Sequence, residues 1–218
     1  MRSHTLQAIA RCAVIVLTSA LAVPSVARAE IIDRMLALVG GELILLSDAN
    51  AAVKFGLIEV RSIADENDLR SALNALVDRQ LQLFEVNRYL PPEPPAPAVA
   101  ARLEAVRARL GEAGFRAALA ETGMTEAQVQ SRIRDNLRIE SYRAQRFGAA
   151  LQPTDEDLAR FYRANEARFT KDGVLQPFEQ VRDTAREQLV RERSSALIAE
   201  WLDTLRRRTE IQILLPPR

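Results

Sequence analysis

The chain has 218 residues, with 30 Lys and Arg against 29 Asp and Glu, one histidine (His4) and one cysteine (Cys12). Charge this evenly balanced and interspersed gives no electrostatic footprint for nucleic acid. None of the eight glycines sits in a GxxxxGK[ST] loop, so no phosphate cradle and no nucleotide site are expected.

The first residues have the layout of a secretory signal. Arg2 and Arg11 make a positive start, Cys12 to Val23 is an apolar run, and Pro24 ends it. Ala27 and Ala29 are the small residues a signal peptidase accepts, which places cleavage between Ala29 and Glu30. The run falls short of the roughly 20 residues that cross a bilayer. Cys12 stands at its beginning rather than its end, against a lipoprotein site. Removing residues 1–29 takes three arginines, His4 and Cys12 with it, leaving 27 basic and 29 acidic groups. A periplasmic protein with no imidazole and no thiol is expected. Ser-His and Cys-His catalysis and His- or Cys-based zinc sites are thereby excluded from it. We expect no catalytic residue, no metal, no cofactor, no nucleotide and no stable membrane insertion.

Along the chain, EIIDRMLALVGGELILLS (30–47) reads as two strands around Gly40-Gly41, a dipeptide suited to a tight hairpin turn. A two-stranded hairpin alone is marginal in water. The other strand-like run is Ile211 to Leu214, so the two chain ends are expected to meet in one small sheet that closes a single core. Ser47-Asp48 reads as the cap of a short helix through about Phe55. A helix over 65–89 follows, with Leu69, Leu73, Leu76, Leu81 and Phe84 on one face. It should end before PPEPPAP (91–97), a semi-rigid linker. Helices are expected over 98–110, 113–121 and 126–147, the last opened by a Thr125/Gln128 capping box and buried through Val129, Ile133 and Leu137. Another runs from Pro153 to Phe169 with Leu158, Phe161 and Tyr162 inside. After a turn at Lys171-Asp172-Gly173, the last helix spans 177–208, roughly 45 Å at 1.5 Å per residue. That length suggests an open frame with helices as arms. The fold class is mainly α with a small β-sheet. Behind the signal (1–29) it is organised as hairpin and first helices (30–90), linker (91–97), helical middle (98–152), and C-terminal helices and strand (153–218).

Chemistry-bearing clusters have plain structural readings. Asp155, Glu156 and Asp157 oppose the positive end of a helix dipole, and Arg206 to Arg208 complement the negative end. Lys54 and Lys171, the only lysines, have no motif around them. Trp201, with Ile198, Leu202 and Leu205 on its face, reads as a core anchor. The helical middle supplies the positive signal. Leu103, Leu110, Phe115, Leu119, Met124, Tyr142 and Phe147 lie in short, glycine-interrupted segments and are the candidate lining of a client-binding cleft.

Several stretches resemble the SurA family of periplasmic chaperones. EIIDRMLALVGGELILLSDAN is similar to the family's first hairpin and helix. LVDRQLQLFEVNR and GFRAALAETGMTEAQVQSRIRDNLRIESY are similar to its helical core, and PFEQVRDTAREQLVRERSSALIAEWLDTLRRRTEIQIL to its closing helix and strand. The resemblance covers 30–214. It implies a SurA/trigger-factor-like helical chaperone core that captures unfolded outer-membrane or other exported proteins without ATP. One departure stands out. Members with prolyl isomerase activity carry a parvulin module between an FYxxNxxRF helix and a PFEQVR helix. Here Phe169 is followed within eight residues by Pro177. The resemblance therefore implies a chaperone frame without its isomerase, and no enzyme. A dedicated binding subunit with one fixed partner, or a homodimer, is the alternative; a prolyl isomerase is the third reading.

Overall fold

A computed structural model describes residues 33–216. The expected export signal, with its expected cleavage residues Ala27, Ala29 and Glu30, lies outside the described residues.

The chain opens with β1 (Met35–Val39) and β2 (Glu42–Leu45), an antiparallel hairpin. Its turn places Gly40 and Gly41 at φ +55° and +89°, where a side chain is strained. At Gly40 a Cβ would also come within 2.8 Å of the Phe84 ring. The last strand, β5 (Ile211–Ile213), pairs antiparallel with β1, Leu38 opposite Gln212, giving the order β2-β1-β5. The expected meeting of the chain ends is thus observed. A bulge between Met35 and Ala37 turns both Leu36 and Ala37 inward. The opposite face leaves Met35, Leu43 and Leu214 exposed.

The helices are α1 (Leu46–Lys54), α2 (Glu66–Tyr89), α3 (Ala96–Thr122), α4 (Glu126–Phe147), α5 (Asp155–Ala164) and α6 (Phe178–Arg208). The caps explain most boundaries. Asp65 accepts from the Asp68 N–H at the start of α2. The Thr125/Gln128 box forms in both directions, at 3.3 and 2.7 Å. Thr154 and Asp157 repeat it on α5.

Four expectations are corrected. The cap of α1 is Leu45 rather than Ser47-Asp48; Asp48 acts from inside the first turn, accepting from the Leu45 N–H at 3.1 Å. The linker shortens to 91–95, because Pro97 sits in the first turn of α3, where a missing N–H costs nothing. The 98–110 and 113–121 helices abut at a kink, with Gly111 at φ +70° and ψ 159° the only break. And the helix from Pro153 ends at Ala164, with a 3₁₀ turn carrying the chain to Phe169.

The single core divides into three. The largest joins the sheet, α1, α2, the second half of α4 and the end of α6 around Leu36, Val77, Tyr142 and Trp201. A second forms where α1, α3 and the start of α4 meet on Phe55 and Phe115, whose rings cross edge to face at 5.9 Å. The third holds α5 against the first half of α6 through Leu158, Phe161, Phe169 and Leu189. The division follows from α6, whose length carries its two ends into different neighbours.

Between Phe169 and Pro177 the chain makes a minimal hairpin, β3 (Thr170–Lys171) and β4 (Val174–Leu175), around Asp172-Gly173 at positive φ. Tyr162 closes it, its hydroxyl donating to the Gln176 carbonyl at 2.6 Å. The segment where the resemblance places an isomerase module is occupied by this six-residue turn.

Candidate functional site

An open groove of about 510 Å³ runs along the seam of α2, α4 and α6, with the 56–59 loop along one side. Aliphatic side chains of Leu57, Ile139, Ile198 and Leu202 form its walls. Its floor is polar and unusually buried. Arg79 and Gln82 of α2 retain only 7% and 3% of their surface.

Burying such groups is tolerable only when their donors and acceptors are paired. Arg79 donates Nε–H to Asn136 Oδ1 at 2.7 Å and reaches the Arg132 carbonyl and Asp135 through Nη2. Asn136 in turn donates to the Leu57 carbonyl at 2.8 Å, which fixes that loop. Gln82 donates to the Asp78 carbonyl at 2.9 Å and accepts the Arg143 Nε–H at 2.6 Å. Arg102 and Glu140 pair at 3.2 Å on the exposed rim. A chain of side-chain hydrogen bonds thus holds the groove's shape from below.

The electrostatics follow from burial. Loss of solvent lowers the pKa of Arg79, offset by Asp135, and lowers that of Arg143, offset by Glu140, Glu59 and Asp78. Burial raises the Asp78 carboxyl, and Arg206 pulls it the other way.

None of the seven residues expected to line a cleft lines this groove. Leu103 and Phe115 are buried in the second core, and Leu110, Leu119 and Met124 pack against it half-buried. Tyr142 is buried in the first core with Phe147 packed against it. The seven therefore do not share one cleft; they divide between two cores, because the kink at Gly111 folds the two arms of α3 over α4 and closes their apolar sides. Tyr142 and Phe147 do belong to a distinct feature. Tyr89, Tyr142, Trp201 and Phe147 form a ladder with centroid spacings of 5.8, 5.6 and 5.7 Å, the first two contacts tilted and the last edge to face, and Arg146 lies over its far end.

The other candidates take the structural roles expected of them, with additions. Asp155 and Asp157 sit in the first turn of α5 and also bridge to Arg182 and Arg193 of α6. Arg206 and Arg208 reach Asp78 and Glu85 on α2. Trp201 is a buried core residue. Lys54 pairs with Glu121.

The groove residues that sequence reasoning passed over are Asp78, Arg79, Gln82, Asn136 and Arg143. One signal was available: Arg79 and Gln82 interrupt the apolar stripe of α2 with polar groups that must find partners. Their partners come from α4, 53 or more residues away in the chain, and no periodicity announces that pairing. Among the described residues no group of three or more His, Cys, Asp or Glu is placed to hold a metal, and no helix is long and apolar enough to cross a membrane.

No protein-family model matches this chain, and no curated protein matches it either.

Proposed function

We propose that the protein is an ATP-independent holdase chaperone of the periplasm, taking extended segments of unfolded outer-membrane or other exported proteins into the α2/α4/α6 groove. One observation carries the reading: an open groove of about 510 Å³ with aliphatic walls and a buried, prepaired polar floor. Such a surface offers apolar contact to side chains above a floor whose polar groups are already satisfied, without requiring a particular sequence. A floor and loop already tied by hydrogen bonds also spare part of the ordering cost that a flexible site pays on binding. The resemblance of 30–214 to SurA-type chaperones agrees with it and supplies the compartment and the client class.

The test is capture from a periplasmic extract by the immobilised protein, with bound chains identified by mass spectrometry. A spread of outer-membrane barrel proteins is expected. One stoichiometric partner in place of the spread would favour a dedicated binding subunit and sink the holdase reading.

A further inference from the structure

Three of the groove's guanidinium groups differ in what they have left to offer. Arg79 is engaged through Nε and Nη2 and has Asp135 as its counter-ion, and Arg102 is held by Glu140. Arg143 is different. Its Nε–H is committed to Gln82 at 2.6 Å, and Gln82 is itself fixed by the Asp78 carbonyl. Among the described residues neither Nη1 nor Nη2 has a hydrogen-bond partner, and no carboxylate lies within ion-pair distance. Of the nearby acids, Glu140 belongs to Arg102 and Asp78 to Arg206, and Glu59 stands on the exposed rim.

Glu140, Glu59 and Asp78 act on this half-buried cation without pairing with it, and an anion arriving at its free edge supplies the direct partner it lacks. With Nε tied down, the plane of the guanidinium is set and the Nη1/Nη2 edge forms a fork matched to a carboxylate. The surrounding carboxylates suit a monoanion and oppose a dianionic phosphate. One turn back on α4 is Ile139, and Ile198 and Leu202 of α6 line the same groove. A carboxylate there therefore has an apolar group beside it.

Resting on the reading of the groove as a polypeptide site, we propose that Arg143 anchors the C-terminal carboxylate of the bound chain, with its last, apolar side chain against Ile139, Ile198 and Leu202. The protein then engages chain ends first and internal segments second.

The experiment is fluorescence anisotropy with an N-terminally fluorescein-labelled octapeptide, GSGSGSVL, prepared as free acid and as C-terminal amide. For the wild-type protein, amidation is expected to weaken binding about ten-fold or more, the size of a charge-assisted hydrogen-bonded pair. Arg143→Gln should bind both forms within about two-fold of one another, and Arg143→Lys should recover part of the discrimination. Equal affinity of acid and amide for the wild type would overturn the proposal while leaving the groove's role in polypeptide capture standing. Absence of binding to either form would overturn both. An amidated peptide with an internal aspartate that binds as well as the free acid would overturn the C-terminal assignment. So would displacement of the peptide by dodecanoate at lower concentration than by unlabelled peptide. The acid-against-amide comparison on the wild type stands even if the variants fold poorly.

Discussion

Arg206 grips Asp78 from two nitrogens, Nε at 3.0 Å and Nη2 at 2.5 Å from the same Oδ1, and so joins α6 to α2 beside the groove. Two residues further along α6 no equivalent fork forms; Arg208 instead reaches the buried Glu85. The basic run that reads in sequence as a dipole complement is therefore a clasp. It holds one wall of the groove onto its floor.

Arg206→Ala is expected to cost about 1–2 kcal/mol at neutral pH, between the values for exposed and for buried pairs. The sign with pH follows from Asp78. Burial raises its folded pKa above the ordinary 3.8, so the folded state favours the neutral acid, and Arg206 acts only on the ionised form. The variant's deficit should be full at pH 7 and should fade as the pH falls through the range above 3.8 in which Asp78 takes up its proton. Urea midpoints of both proteins across that range measure it. A deficit unchanged to the lowest pH would contradict the pairing.

Asp157 gives the opposite sign. The hydrogen bond from Arg193, with the Thr154 N–H added, holds its carboxyl below the usual range. Its contribution to joining α5 and α6 is present above pH 3.8 and is lost as the pH falls through the depressed folded value. Asp157→Asn should therefore be less stable than wild type at pH 7, and the two unfolding curves should converge in strong acid.

Gly40→Ala tests the closure of the sheet. The substitution meets both a positive φ and the Phe84 ring at 2.8 Å. A loss of about 2–3 kcal/mol is expected, the sum of backbone strain and a core displacement. Gly41→Ala meets strain without a neighbour within 4 Å and should cost less. Denaturant unfolding of the pair separates the two terms.

Trp201→Ala removes the middle of the aromatic ladder from the largest core. A cost of about 3–5 kcal/mol is expected for an aromatic truncation at a buried site. Because Trp201 is the only tryptophan, its fluorescence in the wild type reports the same packing directly. A variant within 1 kcal/mol of wild type would contradict its place in the core.

Much of the frame is legible in the sequence. Gly40-Gly41 announced the hairpin through its backbone requirement, Thr125 and Gln128 announced the start of α4, and the proline run announced the end of α2. These are local signals, each decided within a few residues. The pairing of Ile211–Ile213 with β1 was also within reach, because a lone hairpin needs a third strand and the chain offers one. The site was not legible. Arg79, Asn136, Gln82 and Arg143 acquire meaning only when α2 and α4 are laid side by side, which no residue spacing states. The seven apolar residues expected to line a cleft fail for the complementary reason. Leu103 and Phe115 look equally apolar in sequence whether they face a cleft or the core, and the kink at Gly111 decides for the core.

The most direct test of the groove as the place of capture is light scattering from a denatured outer-membrane barrel protein diluted into buffer without ATP. It should be run with wild-type protein and with Ala75→Trp, which places an indole into the groove from a half-buried position on α2. The wild type is expected to suppress aggregation at sub-stoichiometric to equimolar ratios, and Ala75→Trp, folded by circular dichroism, to have lost most of that protection. Equal protection by both proteins would contradict the groove as the binding site, and no protection by the wild type over that range would contradict the chaperone function itself.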